Sequence, residues 1–274
     1  MTNPAPGPGP VTVRPLDHPA EMRAAVDLYR DVLGLSPTDP AVSPRLLVGL
    51  RRNGGSVIGA FAGAARDSGA SRGALVGFAY GFVGRDAATG EVYHYSQSAV
   101  VAHDWQGRGV GRALKYGQRD VVLGTGLTRM RWSYDPVRAG NAHFNLDVLG
   151  ARARWFVPNL YGVDDMGRDR GQPTDRLVVE WDLVGPPDPA AVEGVPARVP
   201  GWGETVPAGA DLLLGIPRTW QVVAADPERA IAVRASVREA FEPVMAAGYV
   251  AVSCRVAEPG GDEPGSAYYR LRLG

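Results

Sequence analysis

Three observations predict an α/β (α+β) fold for this chain. Two segments repeat apolar residues at helical spacing, several short apolar runs read as strands, and a Gly-rich turn joins one strand to a helix. The 274 residues include 45% hydrophobic and 21% charged residues, enough to bury a core as one large domain or two modest ones. Lys and Arg total 29 against 29 Asp and Glu. That balance argues against a general nucleic-acid binder and against a polybasic membrane binder. No apolar run approaches the roughly 18–20 residues of a membrane helix. Met1 to Pro10 lacks the basic and apolar regions of a signal peptide. Lone Cys254 excludes an internal disulfide framework and a multi-thiolate zinc site, so a cytoplasmic protein without a metal is expected. Lys115 is the only lysine.

Residues 1–10, rich in Pro and Gly, read as a flexible arm. A strand follows at 11–16. Met22, Ala25, Val26, Tyr29, Val32 and Leu33 then fall at helical spacing, with Pro19 at the start and Gly34 at the stop. A second helix is expected over 44–52. Strands are expected over 56–62, 74–83 and 91–101, the first two joined by a polar stretch at 63–73. The turn 107–111 opens a helix that runs to about Leu123. Beyond it come a strand at 128–134, a short helix at 140–149, and strands at 151–157 and 177–184. Residues 185–208 are dense in Pro and Gly and read as a linker. The last region, 209–274, reads as a β-α-β-β extension. Its strands lie at 212–216, 249–256 and 268–273 and its helix at 227–247, where Pro243 should kink or shorten the helix.

The chemistry lies in the segment Val100-Val101-Ala102-His103-Asp104-Trp105-Gln106-Gly107-Arg108-Gly109-Val110-Gly111-Arg112. A strand passes through a turn with glycine at three alternating positions into a helix. Such a turn gathers unpaired N–H groups and the positive helix end at one spot, which suits phosphate or pyrophosphate. Arg108, Arg112 and Lys115 can add charge to that end. The G-x-x-x-x-G-K-[ST] pattern of a P-loop is absent. A dinucleotide site would use Asp135, 26 residues after Gly109. It lacks its third glycine, however, and about a hundred residues precede it.

Gln106-x-x-Gly109-x-Gly111 is similar to the Q/R-x-x-G-x-G/A signature of the GNAT superfamily of acyl-CoA-dependent N-acyltransferases. The order of elements over 11–184 resembles that fold. The segments Trp132-Ser133-Tyr134-Asp135-Pro136, Asn141-Ala142-His143-Phe144-Asn145-Leu146 and Asn159-Leu160-Tyr161-Gly162, with Gly248-Tyr249, resemble a less-studied branch that carries an added C-terminal region. The resemblance implies a GNAT domain over 11–184, with a mixed, mostly antiparallel sheet whose central strands splay apart, flanked by helices.

It also implies a division of labour. Acyl-CoA, as acetyl-CoA or succinyl-CoA, is the co-substrate. Val100 and Val101 offer backbone pairing to its pantetheine and acyl carbonyl. The N–H groups of Gln106, Gly107, Arg108, Gly109, Val110, Gly111 and Arg112 hold its pyrophosphate, and a backbone donor stabilises the oxyanion. Asn141 and Asn145, four apart and expected on one helix face, are candidates to hydrogen-bond pantetheine or substrate. Tyr95 and Gln97 lie where family members carry substrate contacts. Alternation puts them on one face and Ser96 with Ser98 on the other. The family's acid Tyr, aligned on Gly150, is replaced by Leu146, and Tyr161 reads either as its substitute or as an aromatic closing the core. Asp135 reads as a general base, an anchor for the substrate amine, or a turn former before Pro136.

In the extension, Ala230, Val233, Val237 and Phe241 share one helix face. Arg234 and Arg238 lie on one line, where they can grip a substrate carboxylate or simply face solvent. The expected protein is an N-acyltransferase acting on a small-molecule amine, such as an amino acid, by direct attack in a ternary complex. Neither nucleic acid nor membrane is an expected partner, and a homodimer stays open. The alternatives are a non-catalytic acyl-CoA-binding or regulatory protein and an acyl-CoA decarboxylase on the same fold. An NAD(P)-binding protein is a further rival.

Overall fold

The computed structural model describes residues 11–63, 73–164, 171–185, 196, 198–257 and 265–274. The arm at 1–10, most of the 63–73 connection and much of the 185–208 linker lie outside them. The chain forms two compact units that divide after Met130.

The first unit contains β1 (Val11–Pro15), α1 (Pro19–Leu33), α2 (Pro44–Arg52), β2 (Ser56–Ala62), β3 (Ala74–Arg85), β4 (Val92–Val101) and α3 (Val110–Leu123). This is the expected order of elements. Strands β1 to β4 pair antiparallel in sequence order. Local chemistry sets the helix ends. Ser43 Oγ accepts from Leu46 N at 3.1 Å to cap α2. Gly34, at φ 65°, closes α1 in the left-handed conformation that a side chain would strain. One sheet face buries Leu16, Met22, Leu47, Phe78 and Val100 with α1 and α2. The other buries Ile58, Ala60, Val76 and Ala79 against Val110 and Leu114 of α3. Glycine lets α3 approach closely, since a Cβ at Gly117 would lie 2.5 Å from Val13 Cγ1.

The β3–β4 register shifts once, from Tyr80↔Ser98 to Gly81↔Ser96, so Gln97 is an extra residue in β4. A one-residue bulge reverses alternation. Ser96 accordingly bonds to side chains of α3, while Val100, four residues on, packs with α1 and α2. The simple alternation expected for 95–98 therefore fails across Gln97.

The second unit contains β5 (Arg129–Tyr134, whose first two residues group with the first unit), α4 (Ala139–His143), a π-turn (Phe144–Val148), β6 (Arg152–Val157), β7 (Val163–Asp164), β8 (Gln172–Pro173) and β9 (Arg176–Asp182). It continues through β10 (Thr205–Ala208), β11 (Asp211–Pro217), α5 (Trp220–Ala224), α6 (Pro227–Ala246), β12 (Tyr249–Val256) and β13 (Ser266–Leu273). The strands run in the order β5-β9-β6-β12-β13-β11-β10, with β7 and β8 forming a separate pair. Pairings between β6 and β9, β12 and β6, β12 and β13, β11 and β13, and β10 and β11 are antiparallel.

Two expectations need correction. The end of the 185–208 stretch is strand, because Thr205–Ala208 pairs with Asp211–Leu214. The extension also holds a helix, α5, that was not expected. Helix α6 runs through Pro243 to Ala246. The extension shares a core with 131–184. Phe241 of α6 is fully buried, stacks on Phe156 of β6 at 5.5 Å and meets Tyr269 of β13 edge-on at 5.1 Å. Asp147 accepts from Ser253 Oγ at 2.6 Å and Cys254 N at 2.8 Å.

Asp226 caps α6 by accepting from Glu228 N and Arg229 N at 3.1 and 3.2 Å. Asp226→Ala should cost about 1 kcal/mol, read as a lower urea midpoint with an unchanged m-value. A full-strength midpoint would mean that the cap contributes nothing.

Candidate functional site

The glycine turn follows β4 in the first unit. Ala102 N donates to Val76 O, and a single 3₁₀ turn at His103–Trp105 swings the chain outward. Gln106 Nε2 donates to Val101 O at 3.0 Å, tying the turn to the strand it left. The Gln106 side chain thus shapes the loop, and the Val101 carbonyl is spent inside it. Gly107 and Gly109 sit at φ 72° and 80°, and nothing lies within 4 Å of a Cβ placed on either. The first i→i−4 bond of α3 runs from Ala113 N to Gly109 O at 3.0 Å. The N–H groups of Val110, Gly111 and Arg112 are therefore the free donors that every helix start leaves. Gln106 to Gly109 are exposed. Arg108 and Arg112 stand over the Trp105 and Tyr116 rings at 5.9 and 5.3 Å, which holds two cations beside the turn. Open space, aimed donors and two guanidiniums suit an anionic phosphate group.

Lys115 does not join them. It is 4% exposed and turns inward, donating to Ser96 Oγ at 2.8 Å. Ser96 Oγ donates to Gln118 Oε1 at 2.7 Å, and Gln118 Nε2 donates to Ser56 Oγ at 2.8 Å. Ser56 Oγ lies 2.8 Å from His94 Nε2. With the Ser56 oxygen taken as acceptor, its proton points at His94 Nε2, and the imidazole proton falls on Nδ1. Burial lowers Lys115 to about 7. Burial, with the Lys115 charge adding to it, lowers His94 to about 4. Sequence reading missed this network. Its signals were a unique lysine and the His94–Ser96 alternation, but the partners in β2 and α3 are distant in sequence.

On β4, Tyr95 is half-buried with its ring 5.5 Å from Phe82, and Gln97 is exposed on the bulge. Val100 is buried in the core.

The remaining candidates belong to the second unit. Asp135 accepts from Val137 N at 3.1 Å, forming the turn expected before Pro136. It also accepts from Arg138 Nε at 3.4 Å and from Arg234 Nη1 and Nη2 at 3.2 and 2.9 Å. Those bonds fill a carboxylate's acceptor sites. The Arg234 guanidinium is therefore engaged by Asp135, and Arg238 likewise grips Asp175 at 2.9 and 2.6 Å. Neither arginine is open to a substrate carboxylate in this arrangement. Asn141 is exposed, whereas Asn145 is buried and accepts from Trp132 Nε1 at 3.1 Å. The expected shared helix face is thus corrected. The π-turn begins at Phe144 and changes the spacing between the two asparagines. Leu146 is fully buried core. Tyr161 is 50% exposed, and its hydroxyl lies 3.0 Å from Ser133 Oγ.

Among the described residues, no group of three or more His, Cys, Asp or Glu could hold a metal. No helix there is long and apolar enough to cross a membrane.

No protein-family model matches the chain, and no curated protein matches it. Solved structures do. YncA from Salmonella typhimurium, determined with its cofactor acetyl-CoA, is 20% identical with a TM-score of 0.48, over 67% of this chain and 99% of that one. A ribosomal-protein-alanine N-acetyltransferase from Brucella melitensis is 18% identical with a TM-score of 0.47, over 62% and 99%. A GNAT superfamily phosphinothricin acetyltransferase from Sinorhizobium meliloti, in complex with acetyl-CoA, is 17% identical with a TM-score of 0.48, over 63% and 88%.

Proposed function

We infer that the chain is an acyl-CoA-dependent N-acyltransferase of the GNAT type, acting on a small-molecule amine such as an amino acid. The observation that carries this reading is the open turn at Gly107 and Gly109, with free N–H donors of α3 and two arginines directly after a bulged strand. A backbone phosphate cradle of that kind favours the pyrophosphate of CoA. The superfamily's arrangement then puts the pantetheine along Val100 and Val101 of β4. Gln97, exposed on the bulge, and Tyr95 beside it are the proposed contacts to the acceptor.

The acceptor nitrogen attacks the thioester carbonyl carbon, an N–C bond forms, and the C–S bond breaks. The amine must lose a proton before or during attack, and the departing thiolate gains one. Tyr161 is the proposed proton donor, in place of the tyrosine that Leu146 replaces. With its oxygens filled by Arg234, Arg138 and Val137, Asp135 is read as the turn former, and water takes the amine proton. Asn145 is committed to Trp132, and exposed Asn141 is the better candidate to meet pantetheine.

The test is thiol release from acetyl-CoA and from succinyl-CoA across a panel of amines and amino acids. Amine-dependent release with a matching acylated product is expected. Binding without any release would support the non-catalytic reading, which the filled Asp135 carboxylate favours. Carbon dioxide from malonyl-CoA without an acceptor would make the protein a decarboxylase.

A further inference from the structure

We propose that the C-terminal extension takes part in the reaction by fixing the Tyr161 hydroxyl, with Arg238 and Asp175 as positioning residues through Asn159 and Ser133 as a direct one. This rests on the acyl-transfer reading above, with Tyr161 as the group that donates to the leaving thiolate.

Half of Tyr161 is exposed, so its ring contributes little to any core. Yet the loop that presents it is held at nearly every polar group. Asn159 N donates to Asp175 Oδ1 at 2.9 Å, and Thr174 N donates back to Asn159 Oδ1 at 3.2 Å. Leu160 N donates to Thr174 O at 3.0 Å, Tyr161 N to Thr174 Oγ1 at 2.8 Å, and Thr174 Oγ1 to Gly162 O at 2.7 Å. Asn159, at φ 50°, is the one non-glycine residue with positive φ among the described residues. A backbone in that region persists only where its surroundings over-determine it, and such residues gather at functional sites.

The brace reaches back into the extension. Asp175 has a side chain 3% exposed, and its Oδ1 accepts from both Asn159 N and Arg238 Nη2. Its Oδ2 accepts from Arg238 Nε at 2.9 Å. A bidentate guanidinium fixes a carboxylate in two directions, which an ammonium cannot do. Helix α6 thus sets Asp175, Asp175 sets Asn159, and Asn159 sets the turn that carries Tyr161. At the other end, Ser133 of β5 meets the phenol oxygen at 3.0 Å, and the Arg176 guanidinium stands 5.4 Å from the ring centroid. A phenol held at its backbone, face and hydroxyl, with half its surface open, is arranged to meet a ligand.

In the step itself the C–S bond breaks, the sulfur takes the Tyr161 proton as a thiol, and the phenolate regains a proton from water. The proton lost by the amine goes to solvent, so the exchange balances.

The test is a double-mutant cycle on kcat with acyl-CoA. Tyr161→Phe should lower kcat about 100-fold, and Arg238→Lys about 10-fold, with KM for acyl-CoA unchanged. The double variant should be no slower than Tyr161→Phe alone, because the brace has nothing left to position. Ser133→Ala should lower kcat and Ser133→Thr restore it. Its exposed setting keeps this arm readable if Arg238→Lys misfolds. With S-phenyl thioacetate as donor, whose thiolate leaves without a proton, Tyr161→Phe and Arg238→Lys should match the unaltered chain. Losses that multiply in the double variant, or that persist with the phenyl thioester, would overturn the positioning role while leaving acyl transfer standing. Failure of the unaltered chain to transfer any acyl group would overturn both.

Discussion

Gly109→Trp should abolish stabilisation by acyl-CoA while leaving a folded protein. A ligand at about 100 times its Kd stabilises by about 2.7 kcal/mol, readily seen as a rise in melting temperature. The unaltered chain should show that rise with acetyl-CoA or succinyl-CoA. At Gly109, φ is 80° and nothing lies within 4 Å of a Cβ. A side chain there meets no packed neighbour and adds only the left-handed backbone cost, about 1–2 kcal/mol. The indole would stand over the N–H groups of Val110, Gly111 and Arg112, where a pyrophosphate must approach. Binding should weaken by at least about 100-fold, which removes essentially all of the shift. The panel includes CoA, malonyl-CoA, NAD and NADP. A shift that survives in Gly109→Trp would place the ligand elsewhere. A shift with NAD or NADP and with no CoA ester would remove the acyltransferase reading altogether.

Much of the chain was legible because local periodicity and punctuation decide where elements begin and end. Proline at the first turn and Gly34 at the stop bounded α1, and the strand–turn–helix of 92–123 was readable from its glycines. What escaped was set by partners far along the sequence. Gln97 bulges because of its register with β3, and no local rule announces that. Asp135 read as a base, an amine anchor or a turn former, and Arg234, 99 residues later, engages its oxygens. Asn141 and Asn145 read as one helical face, and a π-turn separated them. The stretch before β11 looked like linker from its Pro and Gly. Strand Thr205–Ala208 exists because β11 offers it an edge, and strand formation depends more on such pairing than on propensity. The glycine turn, by contrast, needs only its own residues to form. That is why the turn was readable while the residues around the proposed chemistry were not.

Folding stability of the first unit should rise between pH 7 and pH 9, and Lys115→Met should remove most of that rise. Lys115 holds a folded-state pKa of about 7, against 10.5 for the free side chain, because burial penalises its charge. Between those values the unfolded chain carries a proton that the folded chain has released. Stability therefore rises with pH across the window and is lost as pH falls toward 7. One proton contributes about 1.4 kcal/mol per pH unit, so the gain from pH 7 to 9 is on the order of 3 kcal/mol. His94, lowered to about 4, acts with the same sign but in the window from 4 to 6.5, below this range. Cys254 and the buried tyrosines Tyr134 and Tyr269 are raised by burial and oppose the trend toward high pH, but they do so equally in both proteins. The difference between the two urea-unfolding curves at each pH therefore isolates Lys115. Methionine keeps the length and apolar stem of lysine, and the Ser96 hydroxyl keeps its acceptor in Gln118. The rest of the network thus survives the substitution. Equal slopes in the two proteins would mean that Lys115 stays charged in the fold. The chain Lys115–Ser96–Gln118–Ser56–His94 would then be holding a buried cation. A slope carried by Lys115 alone would mean that the chain's one lysine spends neutral pH partly uncharged, held between α3 and the sheet by a hydroxyl.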